Sequence, residues 1–107
     1  MFAVIYRGYL QPGKEEDYLD AWKVVAQYFV EKRGAIGSTL HRAEGGLWVA
    51  YSRWPDKKTR DTSWPKDGTA VSEELPPKVR KAILVLKDCL DPKRALPEIC
   101  LDVVDEV

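Results

Sequence analysis

The chain is short of the residues that metals and cofactors require. Its 107 residues include one histidine, His41, and two cysteines, Cys89 and Cys100. These three stand far apart in the sequence and form no metal-ligand cluster. No glycine-rich phosphate loop, nucleophile elbow or C-x-x-C is present, so most cofactor-dependent chemistry lacks its signature. Neither sign of charge is in surplus: 17 Lys and Arg balance 17 Asp and Glu. Charge therefore gives no reason to expect a nucleic-acid partner or an acidic solvating tail. No apolar run approaches the roughly 20 residues that span a bilayer. Residues 1–10 lack the basic region and small-residue cleavage site of a signal peptide. We expect a soluble, cytoplasmic protein with free thiols, no metal, no cofactor and no membrane partner.

What is present points to one folded domain over residues 1–107. Hydrophobic residues make up 45% of the chain and include four Trp, five Tyr and two Phe, too apolar a composition for disorder. Residues 2–10 are rich in Val, Ile, Tyr and Phe and predict a strand, with Phe2, Val4 and Tyr6 on one face and Ala3, Ile5, Arg7 and Tyr9 on the other. Residues 13–33 predict a helix. Tyr18, Leu19, Trp22, Val25, Ala26 and Phe29 fall at helical spacing, acids crowd the first turn, and Lys32-Arg33 precede a Gly34 stop. Residues 35–44 and 47–54 predict two strands joined at Gly45-Gly46. On the second, Trp48, Ala50, Ser52 and Trp54 share one face, and Leu47, Val49, Tyr51 and Arg53 share the other. A short helix is expected within 56–65, a loop over 66–77, a second long helix over 77–90 and a last strand over 96–107.

The order β-α-β-β-α-β is the ferredoxin-like pattern of an α+β fold. It predicts a four-stranded antiparallel sheet with helices on one face. The other face then carries a large apolar patch, which usually means an interface.

Four segments resemble the antibiotic biosynthesis monooxygenase-like family, within the dimeric α+β barrel superfamily. They are V-I-Y-R-G-Y (4–9), P-G-K-E-E-x-Y-x-x-A-W (12–22), G-S-T-L-H-R (37–42) and W-V-A-Y-S-R-W-P (48–55). The resemblance implies a homodimer whose two sheets form a barrel, with a pocket in each subunit between sheet and helices. Some members of the family oxygenate aromatic polyketides without metal or flavin, and some degrade heme. The heme-degrading members keep a polar residue on strand one, a helical Trp after the hairpin and a His beyond it. Tyr6 and Trp64 stand near the first two places. The third reads V-S-E-E-L (71–75), without a histidine, so heme degradation is not expected.

The candidate residues each carry two readings. His41 is a pocket base or hydrogen-bond donor, or a structural histidine bonded to its hairpin. Tyr6 and Tyr51 are donors to a substrate oxygen, or cross-strand packing. Arg7 and Arg42 are partners for an anion if strands one and two pair, or members of ion pairs. Trp22, Trp48, Trp54, Trp64 and Tyr28 are walls for a flat aromatic substrate, or core and interface. The run Asp56–Asp61 reads as a solvated helix face.

Two functions follow. The first is a homodimeric, cofactor-independent monooxygenase on a small aromatic or quinol-like molecule, with His41, Tyr6 and Arg7 as catalytic groups and Trp64, Trp22, Tyr51 and Trp48 binding the substrate. The second is a non-catalytic dimeric binding or stress protein of the same fold. A heme-binding protein using His41 or Cys89 is a weaker third.

Overall fold

The structure, a computed structural model, describes residues 1–63 and 74–107. The elements are β1 (Phe2–Tyr9), α1 (Glu15–Lys32), β2 (Gly37–Arg42), β3 (Leu47–Trp54), α2 (Lys57–Ser63), α3 (Pro77–Cys89) and β4 (Ile99–Asp102). The four strands form an antiparallel sheet in the order β2-β3-β1-β4. This is the α+β, ferredoxin-like arrangement that the element order predicts. Among the described residues, no helix is long and apolar enough to cross a membrane.

Strand pairing follows from the pleat. Tyr6 stands opposite Ala50, Val4 opposite Ser52 and Phe2 opposite Trp54. Ala50 in turn stands opposite Leu40, and Ser52 opposite Ser38. Residues paired across strands share a face. These positions look toward α1 and α3, where Phe2, Val4, Val25, Phe29, Trp54, Val79 and Ile83 form the buried core. The other face carries Ile5, Arg7 and Tyr9 of β1, Leu47, Val49 and Tyr51 of β3, Thr39 and His41 of β2, and Ile99 and Leu101 of β4.

α1 ends where Gly34 turns into the left-handed region at φ 86°. The hairpin between β2 and β3 needs the same freedom twice: Gly45 and Gly46 sit at φ 75° and 83°, and Ala43 N–H closes the turn on Leu47 O at 2.7 Å. β2 is therefore shorter than residues 35–44, since Ala43 and Glu44 belong to the turn and Ala35 joins the core.

Two expectations need correction. The last strand is Ile99–Asp102, not residues 96–107. It pairs with Phe2–Ile5 of β1, and the Val103 N–H bond to Met1 O marks where β1 runs out beneath it. Arg7 and Arg42 are not on adjacent strands, because β3 lies between β1 and β2. Arg42 faces the helices, stacking over Trp48 at 5.8 Å and pairing with Glu15 at 3.5 Å. Arg7 faces the other way and donates to Pro97 O at 3.2 Å.

α2 is fixed at both ends. Asp56 Oδ1 accepts the Thr59 N–H at 2.7 Å, an N-cap bond. At the far end the single proton of the buried Ser63 hydroxyl is shared between Thr59 O of its own helix at 2.5 Å and Arg33 O at 2.7 Å, which ties α2 to the end of α1. This anchoring turns one residue of the charged run inward, and that residue is Arg60.

Candidate functional site

A cavity of about 190 Å³ lies between the sheet and α1. Tyr18, Trp22, Val25, Ala26 and Phe29 of α1 form its roof, and Tyr6, Ser38, Ala50, Ser52 and Trp54 of the sheet form its floor. Leu86 and Leu90 close one side. The space exists because small residues, Ala50 and Ser52 on β3 and Ser38 opposite Ser52 on β2, cluster on the sheet where larger ones would fill the gap.

The walls are apolar with a few polar atoms. Trp54 is 2% exposed, yet its Nε1–H has no partner among the described residues. A buried unpartnered donor costs stability and is uncommon. Ser38 and Ser52 add two hydroxyls to the wall. Tyr6 adds its phenol, which is held from behind. Arg60 Nη2 lies 3.5 Å from Tyr6 Oη and 2.6 Å from Glu98 Oε2. Burial pushes the Tyr6 phenol above its ordinary value, against the hydrogen bond and charge of Arg60, which pull it down. Tyr6 is therefore a neutral O–H donor at physiological pH. Burial works against the Arg60 charge, but the bonds to Glu98 and Tyr6 outweigh it and hold the guanidinium above its ordinary value.

The structure separates the candidate residues. Tyr6 and Trp22 meet at the cavity. Trp48 is on the same face but packs edge-on against Tyr18, at 5.8 Å between ring centres, and does not line the cavity. His41, Arg7 and Tyr51 lie on the opposite face of the sheet. The trio His41, Tyr6 and Arg7 therefore cannot meet within one chain's cavity, because the pleat sends successive β1 side chains to opposite faces. His41 is exposed and its Nε2 bonds the Thr39 hydroxyl at 2.8 Å, the structural arrangement on its own hairpin. Trp64 lies outside the described residues. Cys89 is buried, and burial raises its thiol, with Asp17 adding to the shift. Among the described residues, no group of three or more His, Cys, Asp or Glu could hold a metal ion.

Sequence reasoning missed Arg60 and Glu98. The run Asp56–Asp61 reads as a solvated face, but the Arg60 side chain is only 15% exposed. The available signal was Trp54-Pro55-Asp56: a strand stop followed at once by a capped helix puts the helix's second turn back over the sheet.

Residues 1–60 match the model of a family described as antibiotic biosynthesis monooxygenase. Among solved structures, the chain is similar to SnoaB, a cofactor-independent oxygenase from Streptomyces nogalater, at 11% identity and a TM-score of 0.70, covering 99% of this chain and 95% of that one. It is similar to Rv0793 from Mycobacterium tuberculosis at 18% identity and a TM-score of 0.68, covering 98% and 96%. It is also similar to a conserved protein from Methanosarcina mazei Go1 at 14% identity and a TM-score of 0.68, covering 94% and 89%. At these identities the likeness establishes the fold. No curated protein matches the sequence.

Proposed function

The chain belongs to the antibiotic biosynthesis monooxygenase family, and from that membership we propose that it is a cofactor-independent monooxygenase acting on a small phenol or hydroquinone. The observation that carries this reading is the cavity with Tyr6 in its wall. Its size selects the substrate class. About 190 Å³ exceeds the ~150 Å³ that accepts benzene and falls short of the ~300–1,000 Å³ typical of larger ligands. A single ring fits.

The reaction needs little from the protein. A phenol and dioxygen give a quinone and water: one oxygen atom enters the ring, the other leaves as water, and the substrate supplies the electrons. The substrate gives up its hydroxyl proton to solvent; the Tyr6 hydroxyl then donates to the oxygen left behind and favours the anion, the form that gives an electron to dioxygen. The apolar walls exclude water and strengthen this contact. His41, Arg7 and Tyr51 have no part in this scheme.

We place a homodimer contact on the open sheet face. Ile5, Val49, Tyr51 and Leu101 give it the apolar character of an interface, and a chain of 107 residues gains stability from such burial. That assignment gives Arg7 and His41 a place at the edge of a subunit contact.

The test is oxygen uptake over a panel of phenols and hydroquinones, comparing the natural chain with Ala50→Leu. The leucine grows into the cavity, so the fold should survive, with Tm within a few degrees. Turnover should fall at least about tenfold on every active substrate. Equal rates for the two proteins would overturn the assignment of this cavity.

A further inference from the structure

Resting on the reading that Tyr6 donates to the substrate, we propose that Arg60, clamped by Glu98, is a positioning residue that turns the Tyr6 hydroxyl proton into the cavity. Three distant parts of the chain converge to make this arrangement. Tyr6 comes from β1, Arg60 from the second turn of α2, and Glu98 from the segment that leads into β4.

A guanidinium can only donate. A hydroxyl that receives an Arg60 N–H on its oxygen must therefore aim its own proton elsewhere, and Tyr6 lines the cavity. The 2.6 Å bond to Glu98 Oε2 and the 3.4 Å contact with Asp61 Oδ1 restrain the guanidinium, whose side chain is 15% exposed. Its Nε–H is buried without a partner among the described residues. The 3.5 Å separation from Tyr6 is long, as catalytic hydrogen bonds often are before substrate arrives.

Charge gives the contact its use. As Tyr6 stabilises a substrate anion, negative charge collects on the phenol oxygen. An adjacent, partly desolvated guanidinium lowers the cost of that charge. Arg60 touches no substrate and is absent from the cavity wall. Other groups act on Tyr6 as well: Glu98 and Cys100 oppose its ionisation from the β4 side. Tyr18 faces the same cavity from α1. Lys57 and Asp61 pair with each other on α2.

The experiment follows Tyr6 by its own ultraviolet titration. Each protein is compared with the same protein also carrying Tyr6→Phe, so that the difference isolates one tyrosine. Arg60→Met should move the Tyr6 midpoint upward, and Arg60→Lys should leave it near the starting value. With hydroquinone as the probe substrate, Arg60→Met should lower kcat about tenfold with KM changed less than twofold. Glu98→Gln should lower kcat less, and Arg60→Lys should restore most of it. An unmoved midpoint in Arg60→Met, in a protein that keeps its circular dichroism, would overturn the positioning role. So would a raised KM with kcat unchanged, which would make Arg60 a substrate-binding group. No hydroquinone turnover by the natural chain, with the midpoint still moving upward, would count against the oxygenase reading alone and support the Arg60–Tyr6 coupling.

Discussion

Tyr6 and Arg7 stand side by side in the chain, and the pleat puts a sheet between their side chains. Tyr6 enters a cavity, while Arg7 faces away from it and bonds Pro97 O. The alternation itself was legible: the sequence already sorts Phe2, Val4 and Tyr6 from Ile5, Arg7 and Tyr9. What it could not supply was which face of β2 matches which face of β1, because β3 intervenes. Chemical type groups His41 and Arg7 with Tyr6, and side-chain type carries no facing information. Arg60 was hidden for the opposite reason, since a charged run reads as solvated until the docking of α2 is known. A consequence at this scale concerns pH. A neutral Tyr6 with its phenol held above the ordinary value of about 10 makes turnover independent of its titration through neutral pH. Activity carried by donation should fall only on the alkaline side, as the phenol loses its proton. A rate profile over pH 6–10.5 checks this, and a rise with pH tracking tyrosinate would instead mark Tyr6 as a base.

The helix α2 links the sequence to the site. Its capping residue and its Ser63 anchor are local features that a reader of Trp54-Pro55-Asp56 could anticipate, but their effect on Arg60 is tertiary. The Thr59 N–H holds the Asp56 carboxyl below the usual carboxylate range. A depressed carboxylate contributes stability above its unfolded value of about 3.9, and that stability is lost as pH falls through the lower folded value. Asp56→Ala should therefore lower Tm at pH 7 and have a smaller effect near pH 3, where the carboxyl is already taking up protons. Calorimetry at the two pH values reads the difference. Ser63→Ala removes the bond to Arg33 O and should cost about 1 kcal/mol in urea unfolding. It should also weaken turnover, because Arg60 rides on the same helix. Full activity in a measurably destabilised Ser63→Ala protein would show that α2 does not position the site.

Over the whole molecule, most of the architecture was legible because each element carries its own period. β1, α1, the hairpin, α3 and β4 all appear in the expected order, and the sheet closes as 2-3-1-4. The cavity was not legible, because it depends on Ser38 of β2 falling opposite Ser52 and beside Ala50 of β3, a register no local pattern encodes. The open face of the sheet leads to the last structural prediction. Light scattering at micromolar concentration should give about twice the 12.2 kDa chain mass, and the pair Tyr51→Lys and Leu101→Lys should shift it toward the monomer. A monomeric natural chain would remove the subunit contact from the account.

The central claim is that the chemistry happens on the helix side of the sheet, at Tyr6, and not on the open side, at His41. Oxygen uptake with hydroquinone, measured in parallel for Tyr6→Phe and His41→Ala, tests it most directly. The account predicts a loss of about 100-fold for Tyr6→Phe, at the low end of what a positioned proton donor contributes, and a change within about threefold for His41→Ala. A large loss for His41→Ala with Tyr6→Phe nearly unaffected would contradict it.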